Sequence, residues 1–155
     1  MLYPLSYGGG RVMLTASRPG VGHRRATTIS AVARLLVVDD DAVILDLLRV
    51  NFELEGHEVT TAPDGAAGLA EARRERPDLV VSDIMMPGMD GLELLAALRA
   101  DPDLGQVPVV LLSAKAQSAE ITAGLEAGAT AYVTKPFDPL ELVDLVRATL
   151  EGARR

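Results

Sequence analysis

Asp78-Leu-Val-Val-Ser-Asp83-Ile-Met-Met-Pro87-Gly88-Met-Asp90-Gly91 contains a short apolar segment that ends in a carboxylate. The apolar run from Leu79 to Val81 is long enough for a buried strand and too short for a helix. The strand is predicted to end at Asp83, because the Pro-Gly and Asp-Gly pairs that follow are turn-forming sequences. A carboxylate at the carboxyl end of a buried strand lies where open α/β sheets bind their ligands.

The composition indicates one globular domain with an aliphatic core. The chain has 155 residues, of which 48% are hydrophobic and only 3% aromatic, so Leu, Val, Ile and Ala must fill the interior. It contains no cysteine, which excludes a disulfide framework, a thiolate metal site and a thiol nucleophile. No apolar run approaches the roughly 20 residues that span a bilayer, and we expect a cytoplasmic protein.

Charge is distributed unevenly along the chain. Residues 1–33 contain four arginines and no acidic residue, whereas the remainder contains 11 basic and 22 acidic residues. A surface this acidic argues against nucleic acid as a direct ligand of the main domain.

Residues 1–33 are predicted to form a flexible N-terminal extension, because they show neither helical nor strand periodicity. Arginines and glycines interrupt the apolar segment that a signal peptide needs. The extension could be a basic arm that contacts a membrane or nucleic acid, or an amphipathic piece around Ile29 to Leu35. We favour a simple tail, or sequence upstream of the true start, since Met13 could initiate translation. Four arginines over 33 residues form only a thin basic patch.

Residues 34–152 alternate between short apolar strands and amphipathic helices. Such alternation predicts an α/β fold with a parallel sheet covered on both faces. The predicted strands are 35–38, 57–62, 79–83, 107–112 and 130–134. The predicted helices run from about Asp41 to Leu54, from Gly65 to about Arg74, from Gly91 to about Ala100, from Ser118 to Ala127, and from Asp138 or Pro139 to Leu150.

Polar side chains follow four of the five predicted strands, and parallel strands place their carboxyl ends at one edge of the sheet. These residues are Asp39, Asp40, Asp83, Ser113 and Lys135. Two carboxylates about 4 Å apart repel by about 4 kcal/mol at an effective dielectric near 20, so a cation is needed to hold three together. Oxygen ligands from carboxylates and a loop carbonyl suit Mg²⁺, which also binds phosphates.

The same set of residues suits phosphoryl transfer onto a carboxylate. Lys135 supplies a compact positive charge and Ser113 a hydrogen-bond donor for phosphoryl oxygens. Asp83 is the expected nucleophile, because aspartyl phosphates are an established covalent use of aspartate.

Four motifs together resemble the response-regulator receiver domain and occur in that family's order across residues 34–152. They are Leu36-Val-Val-Asp39-Asp40, Ser82-Asp83-Ile-Met-Met-Pro87-Gly-Met-Asp90-Gly91, Leu112-Ser113-Ala114 and Tyr132-Val-Thr-Lys135-Pro136-Phe137. The resemblance implies a flavodoxin-like (βα)5 doubly wound parallel sheet with strand order 2-1-3-4-5, for which a receiver of this family is a standard example.

The resemblance implies that Asp83 is the phosphoacceptor. Asp39 and Asp40 match the family's acid pair, with Asp40 a direct ligand of Mg²⁺. Asp83 completes the acidic ligands, and the backbone carbonyl of Met85 is the third protein ligand.

Three further positions match the family's residues for catalysis and switching. Ser113 is the expected switch hydroxyl and Tyr132 the switch aromatic. Lys135 matches the family's lysine, and the Lys135–Pro136 peptide bond is expected to be cis, against a background of about 5–6% for such bonds.

We therefore expect a stand-alone, single-domain regulator in a two-component or phosphorelay pathway. It would take a phosphoryl group from a sensor histidine kinase or a histidine phosphotransfer protein, lose it slowly to water, and act on a downstream effector protein or relay the phosphate. It would not be a multiple-turnover enzyme, and dimerisation of the phosphorylated form stays open. Phosphate is expected to recruit Ser113 and to draw Tyr132 inward, which changes the face formed by residues 118–134 and the last helix.

Alternative interpretations remain at this point. Asp39 and Asp40 could cap the first helix. Asp39 and Asp41 have the spacing of dehalogenase-like phosphohydrolases, although the chain has no room for their cap domain. A flavodoxin-like redox carrier needs a phosphate loop where this chain has acids. A binding module on the same fold would act without phosphorylation.

Overall fold

The computed structural model of the chain describes residues 2–7, 10–15 and 32–153, the first two ranges by their backbone alone. The described residues contain seven strands and five helices. The strands are β1 (Leu2–Tyr7), β2 (Gly10–Thr15), β3 (Arg34–Val38), β4 (Glu58–Ala62), β5 (Leu79–Asp83), β6 (Val109–Ser113) and β7 (Ala131–Thr134). The helices are α1 (Ala42–Leu54), α2 (Gly65–Glu75), α3 (Gly91–Ala100), α4 (Ser118–Glu126) and α5 (Pro139–Ala153).

Strands β3 to β7 form a parallel sheet in the order β4-β3-β5-β6-β7. Counted along these five strands the order is 2-1-3-4-5, so the predicted doubly wound, flavodoxin-like fold is confirmed. Each of these five strands is followed by a helix, and their carboxyl ends therefore all lie at the same edge of the sheet.

The helices cover the sheet in two layers because successive side chains of a strand point to opposite faces. Leu35 and Val37 pack on one face in a core with residues of α1 and α5. Leu36 and Val38 pack on the other face in a second core with residues of α2, α3 and α4. The sheet is apolar on both faces, as the near-continuous hydrophobic strand sequences predicted. Among the described helices, none combines the length and the hydropathy that a membrane span requires.

An N-terminal hairpin extends the sheet beyond β7. Strand β1 pairs antiparallel with β2, and β2 pairs antiparallel with β7 so that Met13 lies opposite Tyr132. The expectation that residues 1–33 contain no strand is therefore wrong for residues 2–7 and 10–15. The register joins Tyr7 to Gly10, and the two residues between them in sequence are glycines, a local hairpin signal that the overall composition concealed. Residues 16–31, including the amphipathic piece proposed around Ile29, lie outside the described residues.

Replacing Phe52 with alanine is expected to lower the free energy of unfolding by about 3–5 kcal/mol, because the ring is fully buried and its removal leaves a cavity. Leu54 lies on the same helix but is 79% exposed, so Leu54→Ala should change stability by no more than about 0.5 kcal/mol. Urea unfolding of both variants measures the difference. Equal losses of unfolding free energy in the two variants would contradict the burial of Phe52 in the core.

Candidate functional site

Three carboxylates meet at the carboxyl edge of the sheet. Asp39 follows β3 and is fully buried, Asp83 ends β5 and is also buried, and Asp40 is exposed at the surface. An oxygen from each of these three side chains lies within 4.8 Å of the others. The sequence-based expectation that these acids come together is therefore what the structure shows.

The backbone at the end of β3 fixes the direction of the first acid pair. The amide of Asp39 donates to the carbonyl of Ala62 at 3.1 Å, which continues the pairing of β3 with β4. The amide of Asp41 donates to Oδ1 of Asp39 at 2.9 Å, and the Asp41 side chain accepts from the amide of Val43 at 2.9 Å. Asp41 is thus the N-cap of α1, as expected. Its side chain is occupied there rather than in an Asp-x-Asp phosphohydrolase site with Asp39.

Lys135 is the cation of the cluster. Its Nζ lies 3.4 Å from Oδ2 of Asp39 and 3.3 Å from Oδ1 of Asp83. Its amide donates to the carbonyl of Ser113 at 2.8 Å, which fixes the end of β7 against the end of β6. The Lys135–Pro136 peptide bond is cis, as predicted.

Burial is the dominant influence on the two inner carboxyls. It raises the pKa of Asp39, and the Asp41 amide and Lys135 oppose this rise only in part. It also raises the pKa of Asp83 above its ordinary value, again with Lys135 as the opposing charge. One ammonium therefore does not fully compensate two buried carboxylates, and additional positive charge would be bound favourably there.

In EDTA, the Asp83→Asn variant is expected to become more stable relative to the wild type as pH rises from 4 towards 7. A carboxyl whose pKa is raised in the folded state binds more protons folded than unfolded, so its contribution to stability falls as pH rises above the ordinary value of 3.8. The measurement is the unfolding free energy of both proteins at several pH values. A difference that is constant or shrinks with rising pH would contradict the burial effect.

The donor set fits a hard divalent cation such as Mg²⁺. Oxygens bound to one Mg²⁺ lie at most about 4.2 Å apart, since each sits about 2.1 Å from the ion, and the three carboxylates are already within 4.8 Å. Carboxylate oxygens are ligands that Mg²⁺ prefers, and no thiolate or imidazole competes within this cluster. Met85 lies two residues beyond Asp83 and is 55% exposed, and its carbonyl stays a predicted ligand.

Ser113 and Tyr132 are brought together through Lys115. The Lys115 amide donates to Oγ of Ser113 at 3.0 Å, and the Tyr132 hydroxyl donates to the Lys115 carbonyl at 3.0 Å. Tyr132 is only 1% exposed, and burial raises the pKa of its hydroxyl. Tyr132 is therefore already in an inward position in this structure, and its movement on phosphorylation stays a prediction.

The start of α3 contains a residue, Gly91, whose role at the site sequence reasoning missed. Asp90 is the N-cap of α3 in a capping box with Glu93, which agrees with its predicted role in the turn. The next residue, Gly91, donates its amide to the carbonyl of Ile84 at 2.8 Å. A methyl group at position 91 would overlap the carbonyl oxygen of Asp83. The Asp-Gly pair predicts a turn and the start of a helix at Gly91, but not this close approach to Asp83.

Comparisons with known proteins agree with this geometry. A family model for the response regulator receiver domain matches residues 35–147. The transcriptional regulatory protein CseB of Streptomyces coelicolor is 47% identical over 116 residues, which make up 75% of this chain and 48% of that protein. The DNA-binding response regulator MtrA of Mycobacterium tuberculosis is 45% identical over 117 residues, which make up 76% of this chain and 50% of that protein. The chain spans about half the length of these curated relatives.

Solved structures give the same result. The chemotaxis protein CheY4 of Vibrio cholerae has a TM-score of 0.72 and 33% identity, and the match covers 76% of this chain and 98% of that chain. A putative response regulator from Chloroflexus aurantiacus has a TM-score of 0.74 and 35% identity, and the match covers 78% of this chain and 99% of that chain. The chain therefore belongs to the response regulator receiver domain family and contains the receiver domain of a two-component response regulator.

Proposed function

We propose that this domain accepts a phosphoryl group on Asp83 from a phosphohistidine of a partner protein. The observation that carries the proposal is the contact between Asp83 and Lys135, 3.3 Å, beside the carboxylates of Asp39 and Asp40. The buried carboxylate of Asp83 thus lies next to one cation, Lys135. It also lies next to two acids that can hold a second cation. This arrangement suits transfer of a phosphoryl group onto Asp83 better than it suits a purely structural ion pair.

The proposed step joins one oxygen of Asp83 to phosphorus. A P–O bond forms, the P–N bond of the phosphohistidine breaks, and the leaving imidazole takes a proton from solvent. Lys135 stabilises the negative charge on the transferring oxygens, and Ser113 offers a hydroxyl at the adjacent strand end. Mg²⁺ bound by Asp39, Asp40, Asp83 and the Met85 carbonyl would neutralise charge on the phosphoryl oxygens.

The proposed donor is a sensor histidine kinase or a histidine phosphotransfer protein that docks on α1. Exposed apolar side chains lie along one side of this helix at positions 43, 47, 50 and 54, and Val43, at its amino end beside the site, is 73% exposed. An apolar stripe at this spacing on a surface helix suits packing against a partner helix.

Replacing Leu47 and Val50 with glutamine is expected to slow phosphoryl transfer from a phosphohistidine protein that phosphorylates the wild type. Phosphorylation by acetyl phosphate should be unchanged, because that small donor needs no docking surface. The control is Val32→Gln, which makes the same kind of change at an exposed apolar residue ahead of β3. A double variant that retains the wild-type transfer rate would exclude α1 as the docking surface.

After transfer, we propose that the domain acts as a stoichiometric switch rather than a multiple-turnover enzyme, with slow hydrolysis of the acyl phosphate. The phosphorylated form would act on a downstream effector or pass the phosphoryl group onward. The described domain is acidic, and its lack of direct contact with nucleic acid stays a prediction, because DNA binding is named for MtrA, of which the matched residues make up only 50%.

The test is incubation with acetyl phosphate and Mg²⁺ followed by intact mass measurement. We expect a gain of one phosphoryl group, about 80 Da, that EDTA prevents and that peptide mapping places on Asp83. No gain, with Mg²⁺ binding also absent, would overturn the proposal and favour a binding module that works without phosphorylation.

A further inference from the structure

The hydroxyl of Tyr132 lies beside the Ser113 side chain, and the backbone of Lys115 contacts both. Ser113 lies at the end of β6 and Tyr132 lies within β7. Lys115 bridges them with both of its backbone groups, since its amide contacts the Ser113 hydroxyl and its carbonyl accepts from the Tyr132 hydroxyl. The position of the tyrosine ring therefore determines where the loop between β6 and α4 is held.

The other side of the ring is in contact with α4 at Gly124. A methyl group built on Gly124 would lie 3.0 Å from Cδ2 and 3.2 Å from Cε2 of Tyr132. Such distances are shorter than ordinary carbon contacts of about 3.5–4.0 Å. The ring thus packs directly against the helix backbone in a space that an alanine would partly fill.

The space beside Gly124 is also bounded by Leu111 of the core. The same methyl group would lie 3.4 Å from Cδ1 of Leu111, and Leu111 is fully buried in β6. Interiors are packed closely and transmit small displacements instead of absorbing them. A side chain at position 124 would therefore move either the ring outward or α4 away from the sheet.

The amino end of α4 lacks the side-chain cap that α1, α2 and α3 have. Its N-cap, Gln117, makes no side-chain capping hydrogen bond, whereas Asp41, Asp64 and Asp90 cap α1, α2 and α3. An uncapped helix start is easier to displace. The ring of Tyr132 contacts α4 at Gly124, near the carboxyl end of the helix. Its hydroxyl contacts Lys115 in the loop that leads into the amino end of the helix.

We propose that Gly124 is a positioning residue that lets Tyr132 connect the phosphorylation site to α4. The absence of a side chain at position 124 gives the ring its inward place, from which the hydroxyl reaches Lys115. This inference rests on the proposed function, because the signal that it transmits is phosphorylation of Asp83. The three atoms nearest to a methyl group at position 124 belong to Tyr132 and Leu111, and not to the acids or Lys135. Phosphoryl uptake and transmission can therefore be tested separately.

The first experiment compares Gly124→Ala with Gly152→Ala in the full chain. Gly152 lies in α5, where a new methyl group would meet no atom within 4 Å, so this variant controls for the replacement of a helical glycine. Each protein is treated with acetyl phosphate and Mg²⁺, phosphoryl uptake is read by intact mass, and hydrogen exchange is followed in peptides covering residues 114–127.

All three proteins are expected to take up the phosphoryl group equally. The wild type and Gly152→Ala should show a change in exchange of residues 114–127 on phosphorylation, and Gly124→Ala should lose most of that change. An unaltered response in Gly124→Ala would overturn the proposal. Absence of uptake in the wild type would instead be a failure of the proposed function.

A double-mutant cycle tests the contact without phosphorylation. Gly124→Ala is introduced into the wild type and into a Tyr132→Ala background, and urea unfolding gives the four stabilities. We expect alanine at position 124 to be less favourable when the tyrosine ring is present than when it has been removed. The same effect in both backgrounds would overturn the role of Gly124 in positioning the ring.

Discussion

Asp83→Asn is expected to abolish the phosphoryl gain from acetyl phosphate. Asparagine has nearly the same shape as aspartate, but its neutral amide is a poor nucleophile and lacks the charge that Lys135 contacts at 3.3 Å. The fold should persist, because the replacement removes a buried charge and not a packing contact. Intact mass after incubation with acetyl phosphate and Mg²⁺ measures the loss directly.

Asp46→Asn is the matched control for this replacement. Asp46 lies on the exposed side of α1, where its Oδ1 contacts Arg49 at 3.0 Å, and it is not a member of the acidic cluster. This variant should gain the phosphoryl group as the wild type does. Uptake by Asp83→Asn at the wild-type rate, on another carboxylate, would show that Asp83 is not the acceptor.

Gly91→Ala is expected to cause the second large loss. The added methyl group would overlap the Asp83 carbonyl oxygen and lie 2.8 Å from Cα of Ile84, so the backbone that carries the acceptor must move. Overpacking of this kind typically costs about 1–3 kcal/mol of stability. Displacement of Asp83 from Lys135 should also slow phosphoryl uptake. Urea unfolding and the time course of mass gain measure the two effects.

The comparison with Gly152→Ala separates backbone overlap from the change in helix propensity. Alanine is favoured over glycine inside helices by up to about 1 kcal/mol, and position 152 has open space around it. That variant should be as stable as the wild type or slightly more so, with normal uptake. If Gly91→Ala also keeps normal stability and uptake, the close approach of α3 to Asp83 is not needed for phosphoryl uptake.

Most of the parallel sheet could be predicted because its signals are local. The apolar run that ends at Asp83 and the one that ends at Asp39 each specify a buried strand and the residue that leaves it. Errors occurred at element boundaries. The fourth predicted strand began at Val107, but β6 begins at Val109, because the Val107 amide donates to Leu104 in a turn and Pro108 has no amide hydrogen.

The second predicted strand shows the same limitation. It was expected to begin at His57, whereas β4 begins at Glu58. The His57 amide donates to the carbonyl of Phe52, which completes the end of α1, and its ring accepts a hydrogen bond from the amide of Ala33. Tertiary structure places Phe52 and Ala33 next to His57, and the periodicity of the strand sequence carries no information about these contacts.

The candidate site also has a part that the sequence predicts and a part that it does not. Strand ends predicted that Asp39, Asp40, Asp83 and Lys135 would meet, since topology alone brings them to one edge. Topology does not specify distances between a helix start and a neighbouring strand. The overlap that a side chain at Gly91 would create, and the space beside Gly124 that Tyr132 fills, depend on ångström-scale packing that the sequence pattern does not encode.

The hairpin at the amino end changes which backbone edges are open to other chains. With β2 paired to β7 and β1 outermost, the strand that contains Tyr132 is an interior strand of the described sheet. Unpaired edges are where sheets join between molecules and where aggregation begins. One outer edge is now β1, which contains Pro4, a residue unable to donate an amide hydrogen. The other outer edge is β4, which contains no proline and lies at the far end of the sheet from the hairpin, so its backbone is the more open of the two edges to pairing with another chain.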